Sequence, residues 1–319
     1  MLSRVADSLY WMSRYMERAE HALRLLSVRL DTMVEDSEEA AQQSWLRLVA
    51  ALGARTAATP VLASDATRFI AFDRFNRSSV LSSISSARDN ARAVREQISS
   101  EMWEHLNRLY LNLMATSYEA VWAGQASSYF RSLIDGLFMF QGITHSTMRH
   151  GEGWHFIELG RYIERAQLMS RLLDVHFGEM PVDAPEGLQK PRYFDWISLL
   201  KQCTAFEAYC KVYTARIEPN RIADFLVFDP EFPHALRFGV NRIHGVIEQI
   251  GTGAPPERRA ACLRLSGRLK ANLEYGQIEE LLNGGFDAFL ADLQHQCGHI
   301  HLAVHNAYIA YGVDGALQV

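Results

Sequence analysis

A six-residue motif occurs twice in this chain, and the repetition limits what the chain can fold into more than any other feature. Residues 14–19 are Arg-Tyr-Met-Glu-Arg-Ala, and 147 residues later residues 161–166 are Arg-Tyr-Ile-Glu-Arg-Ala. The similarity continues in register, since Arg24-Leu25-Leu26 is matched by Arg171-Leu172-Leu173. A repeat of about half the chain length predicts a duplicated structural unit.

Two further pairs of similar segments follow in the same order. Ser44-Trp45-Leu46 is matched by Asp195-Trp196-Ile197, and residues 69–73 are matched by residues 225–229. The offset grows from 147 to 151 and then to 156 residues, as small insertions would produce. The sequence therefore predicts a single domain over residues 1–319, built from two similar halves of approximately 1–147 and 148–319 that pack about an approximate two-fold axis.

Apolar spacing and the distribution of proline predict that both halves are helical. In the first segment the apolar residues recur at steps of three and four, as on one face of a helix: Val5, Leu9, Met12, Met16, Leu23, Leu26 and Leu30. Residues 61–180 contain no proline, which permits long helices there. We therefore predict an all-α bundle of about a dozen helices, at roughly 3–32, 37–53, 64–73, 78–98, 100–117, 126–148, 152–177, 193–214, 219–227, 233–250, 256–274 and 277–311.

Glycines and prolines predict where some of these helices end. Gly53 and Gly251 stand at expected C-terminal ends, and a cluster of glycine and proline predicts a loop over residues 176–193.

Composition excludes several classes of protein. The formal net charge is −5, so a general nucleic-acid binder is not expected. No apolar run reaches the roughly 18–20 residues that would span a bilayer, and Asp7 stands where a secretory signal would be apolar. The four cysteines form no Cys-x-x-Cys pair. These features predict a cytoplasmic protein without a membrane span.

The repeated motif places charged side chains opposite the apolar stripe of its helix. On a helical wheel Arg14, Glu17 and His21 share one face, and Arg161 and Glu164 occupy the equivalent face of the second copy. Apolar residues stand above and below the charges in both copies. A solvated face is rarely built in this way, so both helices are predicted to be central and contacted on two sides.

Two interpretations of these clusters remain open, and they are compatible. A buried arginine needs an anionic partner, so the first interpretation is an internal ionic brace between the two central helices. In the second, Arg14, Arg18, Arg161 and Arg165 bind an anionic ligand in a pocket between the halves. In that pocket Glu17 and Glu164 are the candidate catalytic acid/base residues.

A second polar concentration follows the helix predicted at 78–98. Arg88, Arg92 and Arg95 border its apolar stripe and predict a positive ridge. The ridge is either a solvated flank paired with acids or a rim for an anionic ligand or an acidic partner.

Histidines at 295, 299, 301 and 305 have the four-residue spacing of some zinc ligands, but no carboxylate completes a recognisable signature. Neither a metal nor another cofactor is predicted.

These motifs together resemble a bacterial family of all-helical proteins, the alpha-E family, named for its Glu-Arg motif. The resemblance covers nearly the whole chain. It rests on residues 2–20, on the run 87–96 that continues to Trp103 and Asn107, on residues 147–165, and on residues 228–238. The run 87–96 contains Asn90 and the third segment contains Glu152, and both complete the candidate binding set.

The resemblance implies a function that the residues alone do not reveal. Members of this family are similar to companions of ATP-grasp-type ligases and transglutaminase-like proteins encoded nearby. This implies a helical component of a system that forms or modifies amide bonds, with a peptide or small anionic substrate. The alternatives are an enzyme that itself acts on amide bonds and a purely structural interaction protein.

Overall fold

The computed structural model describes residues 1, 3–33, 37–53, 61–177, 192–214, 216–250, 254–282 and 285–310. Over these residues the chain forms fifteen α-helices and no strand, which confirms the all-α prediction. None of the helices within the described ranges is long and apolar enough to cross a membrane. The helices are α1 Ser3–Thr32, α2 Glu38–Ala51, α3 Ala63–Ala71, α4 Val80–Ala93, α5 Ser100–Ala115, α6 Tyr118–Ala123, α7 Ala126–Thr147, α8 Glu152–Phe177, α9 Tyr193–Gln202, α10 Phe206–Tyr213, α11 Pro219–Phe228, α12 Leu236–Gln249, α13 Pro256–Tyr275, α14 Ile278–Leu282 and α15 Phe286–Val304.

Helices α1 and α8 lie at the centre of the molecule and pack against each other. The apolar stripe of α1 is buried, as Leu9, Met12 and Leu23 show, and the opposite face with Arg14 and Glu17 is buried as well. Helices α4 and α7 cover α1, while α12 and α15 cover α8. Charged side chains on the covered faces therefore have no access to bulk water and must find partners inside the protein.

The helices of the two predicted halves can be paired in chain order. Apart from α10, the series α1 to α7 corresponds in order to α8, α9 and α11 to α15. The contacts correspond too, since α4 packs on α5 as α12 packs on α13. Helix α2 contacts α8, and α9 contacts α1, so each half reaches across to the central helix of the other. The duplication itself stays a prediction.

Two predicted helices differ from the structure, and one short helix was not predicted. The single helix predicted over 193–214 is wrong, because the chain turns between α9 and α10 at Thr204, whose φ is 51°. The single helix over 277–311 is also wrong, because α14 ends at Leu282 and α15 begins at Phe286. The short helix α6 was not predicted. The predicted loop lies mostly outside the described residues, as does Gly251.

Candidate functional site

Helices α1 and α8 approach each other closely at Gly160. A Cβ atom placed on this glycine would lie 2.3 Å from the Ser13 Oγ and 2.3 Å from the carbonyl oxygen of Tyr10. These distances are far inside van der Waals contact, so a side chain at this position would push the two helices apart. The close approach lies directly before both copies of the repeated motif and lets charged side chains of each helix reach the other.

Glu17 and Arg165 form a buried bidentate ion pair between the two helices. The Arg165 Nε donates to Glu17 Oε1 at 2.6 Å and its Nη2 donates to Oε2 at 2.8 Å. The remaining Nη1 donates to the carbonyl oxygen of Pro233. Burial alone would lower the pKa of Arg165, but Glu17 outweighs it and the net shift is upward. This pair has the geometry of the predicted brace.

Glu164 makes the reciprocal contact with the first copy of the motif. Its Oε2 accepts from Arg14 Nε at 2.6 Å and its Oε1 accepts from Arg18 Nε at 2.7 Å. Burial would raise the pKa of Glu164, but the two arginines outweigh burial and lower it. The carboxylate is therefore ionised at neutral pH. The glutamate of each Glu-Arg dipeptide thus binds the arginine of the other.

A cavity of about 350 Å³ adjoins the Glu164 contact. Arg14, Arg18, Glu164 and Arg171 line it together with Gln167. The Arg18 side chain is 21% exposed, and its Nη groups have no hydrogen-bond partner among the described residues. We call this space the Arg18 cavity. One arginine cluster is therefore both a brace and the wall of a pocket.

Arg171 reaches the Arg18 cavity across Gly53, the predicted C-terminal glycine of α2. Gly53 has a φ of 65°, which is the left-handed region that favours glycine. A Cβ atom there would lie 1.9 Å from Arg171 Nη1. Gly53 thus adopts the left-handed conformation that follows the end of α2, and its lack of a side chain leaves space for the Arg171 guanidinium. In the sequence Arg171 stands out only as part of the repeat, and it was not predicted as a site residue.

His301 lies beside Arg14 in the cluster that contains Arg14, Arg18 and Glu164, which we call the first cluster. The sequence did not predict this position. The His301 Nδ1 lies 2.8 Å from the Tyr10 hydroxyl, and the two rings stack. Burial and the neighbouring Arg14 lower the pKa of His301 to about 4, so the ring is neutral at pH 7. The Tyr10 hydroxyl accepts from Arg14 Nη1 and can donate to the imidazole. The histidine spacing was noted in the sequence, but only as a metal pattern.

The charged groups around Glu17 form a second, closed cluster. Glu20 and Arg24 pair at 3.4 Å, and Arg24 also donates to the carbonyl oxygen of Gln202. His21 and His234 are buried beside them. On α8, Arg161 pairs with Glu158 at 2.7 Å, and Glu158 also accepts from Arg242. Arg161 therefore pairs within its own helix and does not reach a cavity shared with Arg14.

The buried histidines predict that acid destabilises the fold. Burial, then the charges of Arg24 and Arg165, hold the pKa of His21 well below its usual value, and His234 shares these causes. In the unfolded chain these two imidazoles take up protons below about pH 6.5, whereas in the folded chain they stay neutral. Each histidine therefore lowers the free energy of unfolding by up to about 1.4 kcal/mol per pH unit as the pH falls from 6.5.

We expect His21→Leu, which copies Leu168 of the second motif, to flatten the fall of stability between pH 6.5 and 5. Urea unfolding at pH 5, 6 and 7 measures this slope in the variant and in the wild type. The comparison separates the histidine from Glu20, whose pKa burial raises and which acts in the opposite direction. An unchanged slope in the variant would show that His21 is protonated in the folded state.

The pairing of two Glu-Arg dipeptides across the central helices is the feature by which the chain can be compared with known proteins. A family described as a predicted alpha-helical domain with a conserved ER motif matches residues 1–309. The chain belongs to the alpha-E family. The match covers both central helices and all fifteen described α-helices, so the family similarity is not confined to the motif.

Curated relatives of this alpha-E protein come from mycobacteria. An uncharacterized protein of Mycobacterium bovis is 23% identical over 95% of this chain, as are two uncharacterized proteins of Mycobacterium tuberculosis. The aligned part is 36% of each relative. The chain thus spans about a third of the length of the curated relatives that it matches. No solved structure shows significant similarity to the chain.

The predicted ridge of this alpha-E protein is held against aromatic rings of α5. Arg88 Nε donates to Asn107 Oδ1 at 3.1 Å, and its guanidinium lies 4.9 Å from the Tyr110 ring centre. Arg95 lies over Trp103 at 5.3 Å. Arg92 is exposed, while the Asn90 amide donates to the carbonyl oxygen of Ser86 within its own helix. These side chains do not line the Arg18 cavity. Tyr110 instead lines a neighbouring groove of about 720 Å³, which Arg18 also borders.

Glu152 lies away from both clusters. Glu152 is the first residue of α8, and its Oε2 lies 2.8 Å from the main-chain nitrogen of Met1. Within the described part of the chain, no group of three histidine, cysteine or acidic side chains has the arrangement of a metal site. Burial raises the pKa of Cys203 and Cys297 to about 12, so neither thiol is an activated nucleophile.

Proposed function

We propose that this alpha-E protein is a cytoplasmic binding component of an ATP-grasp-linked system that forms or modifies amide bonds. It holds an anionic ligand, the substrate of the ligase or an acidic segment of the ligase itself, in the Arg18 cavity. The observation that carries this proposal is the cavity itself. Three guanidinium groups and a single carboxylate line it, and the free Nη groups of Arg18 suit an oxyanion.

The link to an ATP-grasp-type ligase, and to a transglutaminase-like protein, rests on the family resemblance. The curated relatives add one supporting observation. The region that matches this chain is 36% of a longer polypeptide, so in those proteins it stands beside other sequence on the same chain. A binding component that delivers a ligand to a neighbouring enzyme fits this arrangement.

Two alternatives are less well supported by the geometry. An enzyme that uses Glu164 as a general base needs a carboxylate with a raised pKa, whereas Arg14 and Arg18 lower that of Glu164. Glu17 accepts two hydrogen bonds from Arg165 and is 2% exposed, so a substrate does not reach it. A purely structural brace would need no cavity beside Arg18, and one of about 350 Å³ is present.

Co-purification with an ATP-grasp-type ligase from the same organism tests the proposal. We expect a stable complex and a change in ATP turnover when the alpha-E protein is added together with an acidic peptide. Arg18→Gln should abolish the change in turnover with little loss of stability, because Arg14 still neutralises Glu164.

The matched control for this experiment is Arg268→Gln, an exposed arginine on α13. It should behave as the wild type. The proposed function would be refuted if the ligase does not bind the alpha-E protein and the ATP turnover of the ligase is the same with and without the alpha-E protein. An equal change in ATP turnover with Arg18→Gln and with the wild type would show that the Arg18 cavity is not the binding site.

A further inference from the structure

The closed cluster around Glu17 shows how the fold neutralises its central arginines. Arg24, Arg161 and Arg165 each lie within 3.4 Å of a carboxylate. The three carboxylates belong to Glu20, Glu158 and Glu17, in the same order. Helices α1 and α8 therefore contribute three arginines and three glutamates to this cluster, and Arg242 of α12 also contacts Glu158.

The repeat counterparts of these six residues, 147 positions away in the sequence, include all three arginines but only one of the three glutamates. Arg171, Arg14 and Arg18 are matched to Arg24, Arg161 and Arg165 by the repeat. Glu164 matches Glu17, but Gln167 stands opposite Glu20 and Trp11 stands opposite Glu158. The Arg14 guanidinium lies 4.7 Å from the Trp11 ring centre, where Arg161 has a carboxylate. At these six matched positions three arginines therefore face a single carboxylate, that of Glu164.

The same comparison accounts for the open space. Asn76 and Ser78 line the Arg18 cavity, and at the 156-residue offset they correspond to Phe232 and His234. His234 is buried beside Arg165 and Arg24. Large rings thus occupy the closed cluster where small polar side chains border the cavity. The excess positive charge and the empty volume occur at the same place.

From these two differences we infer that the Arg18 cavity binds a doubly charged oxyanion and that Arg171 is a binding residue for it. The inference deepens the proposed function and rests on the cavity being its binding site. The side-chain and α-carboxylates of a C-terminal aspartate or glutamate supply this chemistry, and so does a single phosphoryl group. The ligand takes the place of the missing carboxylates opposite Glu20 and Glu158.

The available donors agree with this assignment. Arg171 makes no ion pair within 4 Å to a carboxylate of the described residues, and Asp174 on the next turn does not line the cavity. The Nη groups of Arg18 are also without a described partner. Two planar guanidinium groups can each bind a pair of oxygen atoms. Gly53 leaves room for the Arg171 guanidinium at the cavity wall.

Isothermal titration of the purified chain with three probes tests the inference at low salt. The probes are N-acetylglutamate with two carboxylates, N-acetylglutamine with one, and inorganic phosphate at pH 7.5. We expect at least one doubly charged probe to bind at least tenfold more tightly than N-acetylglutamine. Tighter binding of N-acetylglutamate identifies the carboxylate source, and tighter binding of phosphate identifies the phosphoryl source.

The decisive variant is Gln167→Glu, which restores the acid that its counterpart Glu20 supplies to Arg24. It keeps the side-chain size and the acceptor for Arg14 Nη2, so the fold should be retained. We expect it to weaken binding of the doubly charged probe at least tenfold, as should Arg171→Gln. Gln249→Glu, at the exposed end of α12, adds the same charge elsewhere and should bind as the wild type.

Absence of binding by the wild type, or equal binding by Gln167→Glu, would overturn the inference. These results are independent of the ligase experiment. A wild type that binds the probe but forms no complex would refute the proposed function alone. A complex formed by a chain that binds none of the probes would refute only the doubly charged ligand.

Discussion

Glu17→Gln is expected to lower the free energy of unfolding by about 3–5 kcal/mol, because it leaves the buried Arg165 guanidinium without a counterion. Arg165 is 6% exposed, and two of its donors bind Glu17. A neutral amide can accept a hydrogen bond but cannot offset the cost of burying the charge. Urea unfolding followed by circular dichroism measures the loss as a shift of the midpoint.

A double-mutant cycle separates the ion pair from other effects of the substitution. Glu17→Gln combined with Arg165→Met removes both charges, so the double variant should lose clearly less stability than the two single losses added together. Additive losses would show that the two side chains do not stabilise each other. A loss below about 1 kcal/mol for Glu17→Gln, typical of an exposed pair, would contradict the burial of this brace.

The two interpretations of the Arg/Glu clusters therefore apply to different places. Glu17 and Arg165 are enclosed and satisfied, so their contribution is to hold α1 against α8. Glu164 is equally buried, but its partner Arg18 extends to a cavity. A mutation of Glu17 should thus change stability first, whereas a mutation of Arg18 or Arg171 should change binding with little effect on stability.

The sequence predicted the central helices well because their signal is long and periodic. Helices α1 and α8 begin and end where the spacing predicted, and both are covered on two sides. The shorter elements were less predictable. The turn at Thr204 needs a positive φ from a residue that seldom adopts it, and nothing in the local apolar pattern marks it. Helix α6 has six residues, which is too short for a periodic pattern.

The candidate site was predicted in its residue types but not in its pairing. Arg14 and Glu17 share one face of their helix, but their actual partners lie about 150 positions away on the other helix. Only the approach of α1 and α8 decides those pairs. Arg171 and His301 were missed as site residues for the same reason, since their proximity to Arg14 arises from packing between helices that are distant in sequence.

The packing at Gly160 leads to a second large expected effect. Gly160→Ala should lower the free energy of unfolding by about 3 kcal/mol, because the new methyl group would lie 2.3 Å from a main-chain carbonyl oxygen of α1. Main chain in the centre of a helix cannot rotate away as the end of a long side chain can. The helices must separate, which also lengthens the contacts of Glu17 and Glu164. The better helix propensity of alanine, about 1 kcal/mol, offsets only part of this cost.

Gly142→Ala is the matched control, because Gly142 lies inside α7 on an exposed face and a methyl group added there would meet nothing within 4 Å apart from its chain neighbours and the backbone of its own helix. It should raise stability by up to about 1 kcal/mol through helix propensity alone. Thermal and urea unfolding of both variants therefore give shifts of opposite sign. Equal shifts would mean that α1 and α8 can move apart at little cost. In that case the cross-pairing of the Glu-Arg dipeptides, and not the close approach at Gly160, would determine how the two helices pack.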